Sequence, residues 1–477
     1  MRVRTARKRI SPLWAVAGLA AWIALIVHCW HHDVEAVKLA MILPSIFGLA
    51  LLMALKLRST VLTIFMGFTF ISHAIAPAFF FLQKKNYRYS GDWGAVKDFG
   101  FGAGELLHIY RPVFLFTAAV LVFAGAGIRM TRGRGRRRTI IEAGPKKTRA
   151  QRAVYDVLII VFLIAIAVPQ SIVMYRLRVG LTGVVSPILP FRLTGILYYS
   201  RGFLYPLLLF VAYSLSKRKL PTTIAIMLYA WLAGLCASSR YVLLVSMGSV
   251  LLFAFLDRRR VRFVIAAAIA GFAFMTVTYS RTYIYVEQLP LDEYIINSIE
   301  YREEHPKINF WDLVGGIAMR LYGPQDVVLA YQYDVPSRSQ AIANWFTDRP
   351  VLNLNTELYG MDLPEGSGFG VGIGLHAWMV LLSRRSTMLM IFLAAVISAL
   401  LVLADIPVEA VRRVKIFKVH MAADPLAFFL VFVLYSAASL RWYYELIALS
   451  LVGTWILRMI FMPSPVRRPL ALNGTHV

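Results

Sequence analysis

Cysteine is nearly absent from this chain of 477 residues, which has only Cys29 and Cys236. Both fall inside apolar runs, where a thiol acts as a small hydrophobe, so a disulfide framework is excluded. Charge is scarce too, at 16%, and acid scarcest, with 25 Asp and Glu against 51 Lys and Arg. A chain that is 59% hydrophobic, with a mean hydropathy of +0.64, has too few polar residues to coat a soluble globule. His305 and His376 have no metal-ligand spacing with other donors, and His28, His31 and His32 with Asp33 and Glu35 read equally as a solvated rim at a helix end, so no metal is expected. No small-residue cleavage site follows Arg2, Arg4, Arg7, Lys8 and Arg9 and the apolar run after them. They therefore read as a signal anchor.

What is present is hydrophobic length. Apolar runs fall at 12–32, 34–55, 60–82, 107–128, 153–174, 200–216, 221–238, 241–256, 263–281, 387–404, 424–440 and 443–461, which predicts about twelve transmembrane helices. The net charge of +26 would suit nucleic acid, but its placement points elsewhere. The connectors on the N-terminal side of the membrane hold 30 of the 51 basic residues and 5 of the 25 acidic ones, ten of the basic residues lying in 129–152. That asymmetry is the positive-inside pattern, so both termini are expected in the cytoplasm and nucleic acid is not an expected partner. The Arg132–Arg138 run then reads as topology and attraction to anionic membrane lipid.

The expected organisation is a transmembrane block over 1–281, a large outer loop over 282–386 and a second transmembrane block over 387–477. The stretch Gly370 to Leu382 is apolar but short. Counting it as a span would place Arg412, Arg413, Lys415, Lys418, Arg467 and Arg468 outside, so it is expected to lie on or re-enter the outer leaflet as an amphipathic half-helix. Arg384 and Arg385 would then face outward, to grip an anionic head group or simply to anchor a helix end.

In a membrane protein the bilayer dictates most of the sequence, so chemistry is sought in the one long segment it does not dictate. Arg240, Arg281, Arg320 and Arg338 lie at outer helix ends or in this loop. Arg240, between two apolar runs, caps a tight hairpin or points into a polar cavity. A helix is expected over Met319 to Tyr331, carrying Asp326. The run Gly366-Ser-Gly-Phe-Gly-Val-Gly-Ile-Gly374 lacks the strand and helix of a dinucleotide fingerprint. Backbone amides at Gly368, Gly370 and Gly372 are free to approach a phosphate, or the run serves as a hinge. Transfer from a glycosyl diphosphate needs cations for the developing charge and one base for the acceptor proton. The arginines meet the first need, and Asp326, Glu357, Asp362 and His376 are the candidate bases, His376 being preferred for its place beside the lipid-facing half-helix.

Ser239-Arg240 at an outer helix end, and Leu363-Pro364-Glu365 running into the glycine-rich turn before a short helix and a last helix block, resemble the Wzy-type O-antigen polymerases. These belong to a wider group with the O-antigen ligases and GT-C-like membrane glycosyltransferases. The resemblance covers the architecture throughout and the sequence mainly at 238–243 and 357–380. It implies an all-α, GT-C-like polytopic protein of the bacterial inner membrane. Its activity would be to join undecaprenyl-diphosphate-linked oligosaccharide repeat units at the periplasmic face. No cofactor is implied, and a chain-length regulator and a flippase are the implied partners. Arg240 and Arg320 would correspond to the family's outer-face arginines. Family members often carry an acid just after the glycine-rich turn, where this chain has Leu375-His376-Ala377, so the base is where it departs from the pattern. A ligase, a single-sugar transferase and a transporter are the competing readings.

Overall fold

A computed structural model describes residues 34–77, 88–90, 96–98, 103–134, 149–181, 187–206, 219–239, 260–286, 324–333, 338–347, 374–383, 386–413, 423–436 and 440–461, with isolated positions among the others. In chain order the helices are α1 (Val34–Leu57), α2 (Thr60–Phe70), α3 (Ala103–Ile109), α4 (Arg111–Arg134), α5 (Arg149–Phe162), α6 (Val168–Arg176), α7 (Leu193–Tyr199), α8 (Lys219–Ala237), α9 (Arg260–Val286), α10 (Pro324–Gln332), α11 (Arg338–Thr347), α12 (Gly374–Ser383), α13 (Thr387–Arg413), α14 (Ala423–Ser436) and α15 (Leu440–Phe461). One antiparallel pair, β1 (Arg88–Ser90) with β2 (Val96–Asp98), lies between α2 and α3.

Among the described residues five helices are long and apolar enough to cross a membrane: Val37–Leu57, Arg111–Thr131, Ala153–Arg176, Lys219–Ala237 and Thr387–Arg412. Their outward faces are apolar, with Leu49, Val122, Ile164 and Phe392 all more than half exposed. A face of that kind suits hydrocarbon and not water, so the chain is a multi-pass, predominantly α-helical membrane protein. Several helices run past the ends of their apolar runs. α4 continues through Arg129 to Arg134 and α13 to Arg413, because Arg and Lys are good helix formers whose heads can reach the interface while their stems stay on the apolar side.

Among the described residues three π turns interrupt or extend the helices. Ile71–Ile75 follows α2 directly, Leu163–Ala167 joins α5 to α6, and Ser200–Leu204 follows α7.

The described helices pack in two groups that do not follow chain order. α1, α2, α3 and α4 pack with α10 to α15, while α5, α6, α8 and α9 pack on one another. Tyr199 Oη, donating to Glu445 Oε2 at 3.3 Å, is one link between them. In the first group α4 and α13 form the most extensive pair. Their closeness depends on Gly127, where a Cβ would lie 2.9 Å from Val402 Cγ2. Gly127→Leu is expected to wedge these helices apart at a cost of about 1–3 kcal/mol. Thermal unfolding in detergent would read this as a lower midpoint, and an unchanged midpoint would mean that the pair has slack to absorb the side chain.

Polar clamps fasten one end of each group. Ser59 caps α2 by accepting from the Leu62 amide at 3.2 Å, and its hydroxyl donates to Asp405 Oδ1 at 2.9 Å. Arg412 ties Glu409 (2.5 Å), Asp424 (2.6 Å) and the Thr60 hydroxyl together. The start of α2, the end of α13 and the start of α14 thus share one level, the level of the basic connectors. In the second group Ser216 donates to Asp156, and Thr222 joins them.

One expectation changes here. Within the Gly370–Leu382 stretch, of which 370–373 lie outside the described residues, α12 does not face lipid: it is buried at all ten of its positions, among α4, α10, α11, α13 and α14. A helix that is apolar on every side belongs in a core, and no side of α12 is polar enough for the interface. Of the helix expected over Met319–Tyr331, α10 holds Pro324–Gln332, carrying Asp326. Positions 319–323 lie outside the described residues.

Candidate functional site

α12 and α10, both from the long polar segment, insert into the first group and bring two of the sequence candidates with them. His376 on α12 is 2% exposed, and Asp326 in the first turn of α10 is 4% exposed. The membrane helices receive them with His73, Tyr435 and Tyr110. The His73 and His376 ring centroids stand 4.4 Å apart. Tyr435 lies 5.4 Å from His376, Phe116 meets it edge-on at 5.3 Å and Phe65 stacks on it at 6.0 Å. His73 Nδ1 is 3.0 Å from the Tyr110 hydroxyl. Asp326, Ser72 and Thr69 lie close enough to Tyr435 to act on its hydroxyl.

The depth of this cluster follows from helix arithmetic. His73 is thirteen residues along from Thr60 and Tyr435 twelve along from Ala423, so each stands roughly 18–20 Å from the Arg412 clamp at 1.5 Å per residue. Tyr110 precedes the first residue of α4, which runs the opposite way. The cluster therefore lies toward the end of the bundle remote from the basic connectors. The π turn Ile71–Ile75 presents Ser72 and His73 together, both buried; π turns recur at functional sites.

Among the described residues neither nitrogen of His376 has a hydrogen-bond partner, nor does His73 Nε2. Buried polar groups without partners cost free energy, and several in one place mark a site kept for something other than stability. Chemically the cluster offers two imidazoles, a carboxylate and two phenols, a set able to take up and pass on a proton. No group of three or more metal-ligating side chains exists among the described residues.

The other candidates are placed as follows. Arg338 opens α11 and is half-buried. Arg281 lies in the last turns of α9, with only its backbone described. Arg240, Arg320, Arg384, Arg385, Glu357, Gly368, Gly370 and Gly372 lie outside the described residues.

Sequence reasoning missed His73 and Arg201. A titratable residue inside an apolar run is itself a signal, and His73 has that signal. Arg201 sits in a Ser-Arg pair, as do Arg240, Arg281, Arg338 and Arg384, a recurrence visible in the chain. It is 2% exposed in the π turn Ser200–Leu204.

Fold and site together define a multi-pass helical membrane protein with an enclosed cluster of titratable side chains formed between membrane helices and an inserted polar segment. Comparison with protein-family models, characterised proteins and solved structures yields no match.

Proposed function

We propose that the protein is an inner-membrane polymerase that joins undecaprenyl-diphosphate-linked oligosaccharide repeat units into a surface polysaccharide at the periplasmic face. The observation that carries this reading is the convergence of Asp326 and His376, from the long polar segment, on His73 and Tyr435 at the end of the bundle away from the basic connectors. A glycosyl diphosphate brings its own leaving group, so the protein has to supply a proton acceptor and cations. In this reading Asp326 takes the acceptor proton, and Tyr435, on which it acts electrostatically, links it to His376. Arg240 and Arg320 hold the diphosphate, assisted by Arg281, Arg338, Arg384 and Arg385. With α12 enclosed, the reason for preferring His376 as base, its place next to lipid, no longer applies.

A transport reading has one observation in its favour: His73, His376 and Arg201 are buried inside the bundle, as polar groups along a transport path would be. Deleting the gene in its host and resolving surface and lipid-linked glycans on a gel separates the two. Loss of the long ladder, with single lipid-linked repeats accumulating outside, supports the polymerase. Repeats trapped on the cytoplasmic side support transport, and an unchanged ladder counts against the polymerase.

A further inference from the structure

The connector between α6 and α7 lies on the side remote from the basic connectors, yet it is itself basic. Arg176, Arg178, Arg192 and Arg201 fall within or beside it, and residues 157–256 contain no Asp or Glu to balance them. Arg201 is turned inward, its Nη2 donating to the Gly180 carbonyl oxygen at 2.9 Å. Arg176 and Arg178 are exposed, and so is Leu177 between them. Further along, the turn at 187–192 presents two large apolar side chains, Ile188 at 100% and Phe191 at 91% exposure. Two such groups on one short turn are a liability in water.

The turn is fastened in this form. Thr194 Oγ1 donates to the Pro187 carbonyl oxygen at 2.7 Å and accepts from the Leu189 amide at 3.1 Å, and Pro190 opens the short 3-10 turn Pro190–Arg192. Phe191 has φ +53° and ψ 28°, a left-handed backbone that a bulky residue adopts only at a cost. What the strained residue presents is an aromatic ring with little of this chain around it, so the ring is there for a surface outside the chain.

The level of the turn follows from register. α5–α6 and the chain from α7 onward run antiparallel, tied by Ser216 on Asp156, by Phe162 edge-on to Tyr205 at 5.0 Å and by Gln170 Nε2 donating to the Leu197 carbonyl oxygen at 3.0 Å. Asp156 lies two turns into α5, near the basic connector, and Arg176 follows it at about 30 Å by 1.5 Å per residue, the thickness of the hydrocarbon core. Arg176 is six residues beyond Gln170, and Leu193 is four before Leu197. Phe191 therefore stands at about the level of Arg176, the outer boundary of the hydrocarbon. From there an exposed apolar stripe continues inward through Leu193, Ile196, Leu204 and Leu208.

We infer that the turn at 187–192 is an anchor in the outer leaflet of the membrane, with Ile188 and Phe191 among the acyl chains just below the headgroups and Arg176 and Arg178 on the phosphates of anionic phospholipid. Depth and charge choose this occupant. The apolar pair stands at the bilayer boundary, at the end of a stripe that already faces hydrocarbon, and the exposed cations beside it have no neighbouring acid in the sequence. Apolar burial plus attraction to anionic headgroups is how a surface of this make holds a membrane. Because Gln170 ties α6 to α7, the anchor fixes the level of this part of the second helix group in the bilayer. It is independent of the polymerase reading and would stand if that reading fell.

The test is the depth of a fluorophore on the full chain in vesicles. In a Cys29→Ala, Cys236→Ala background, Phe191→Cys is labelled with a nitrobenzoxadiazole group and reconstituted into phosphatidylcholine doped with phosphatidylcholine or phosphatidylglycerol that carries a nitroxide on its acyl chain. The nitroxide lipids are expected to quench the label at least threefold more strongly than iodide present on both sides of the bilayer. The phosphatidylglycerol form should quench at least twofold more strongly than the phosphatidylcholine form. Arg176→Gln with Arg178→Gln should erase the second difference and keep the first. Phe191→Gly, which relieves the left-handed backbone while removing the ring, should hold or raise the unfolding midpoint in detergent and guards against a purely structural role. A label open to iodide and untouched by the lipids would place the turn in water, and a label shielded from both would mean that a protein partner or a second copy covers it. Either of these, equal quenching by the two lipids, or a lower detergent midpoint for Phe191→Gly would overturn the assignment.

Discussion

Trp378→Ala should cost the protein about 3–5 kcal/mol, the range for removing a large aromatic ring from a core. Trp378 is 1% exposed on α12 and stacks on the fully buried Trp345 of α11, with ring centroids 6.2 Å apart and planes 30° apart. Neither indole N–H has a hydrogen-bond partner among the described residues, so what is lost is packing. The site cannot collapse to fill the hole, because α12 is held by neighbours on every side, and the cost depends on that collapse. Trp378 is also two residues from His376, so loosening α12 loosens the imidazole as well. Thermal unfolding in detergent should show a lower midpoint for Trp378→Ala and a smaller fall for Trp378→Phe. An alanine variant within about 1 kcal/mol of the parent would mean that α12 is not clamped by the tryptophan pair.

Asp326→Asn should remove the long glycan ladder, a fall of roughly 100- to 10,000-fold if the carboxylate is the proton acceptor proposed here. Asparagine keeps the shape of the side chain and its place in the first turn of α10, so protein level and unfolding midpoint should hold. Asp326→Glu should restore part of the polymer, because it keeps the charge and moves it by one methylene. Complementing a deletion strain with each variant and comparing ladder length against immunoblotted protein makes the measurement. A full ladder from Asp326→Asn would transfer the role to His376, and the matching His376→Phe strain would then decide whether the cluster acts on the acceptor at all.

The membrane character of the chain was legible from hydropathy, and the clamp around Arg412 lies among the basic connectors that charge placement had marked. The position of α12 was not legible. Its apolar length fell short of a span, and sequence has no signal to separate a short helix buried in protein from one lying in lipid, since both are apolar. Asp326 and His376 could be named from residue type alone. The approach of His376 to His73, and of Asp326 to Tyr435, depends on the packing of helices about 100 to 300 residues apart in the chain, which no local pattern encodes. Arg201 was passed over because it begins an apolar run, where a single basic residue reads as an interfacial anchor. Burial separates the two readings, and burial is a property of the packed helices.

The three π turns bear on how this protein can change over time. Each holds the ladder wider than an α-helix by about one residue, and the side chains of two of them, His73 and Arg201, sit inside the protein. Deleting a single residue within Ile71–Ile75 would let the helix close to regular form and turn everything beyond it by roughly 100°. The imidazole would then leave its partners, although every residue type needed was still encoded. Homologous chains should therefore tolerate ordinary substitutions around these turns far better than single-residue insertions or deletions, and alignments that place gaps there would mark lineages in which the site has been lost or rebuilt.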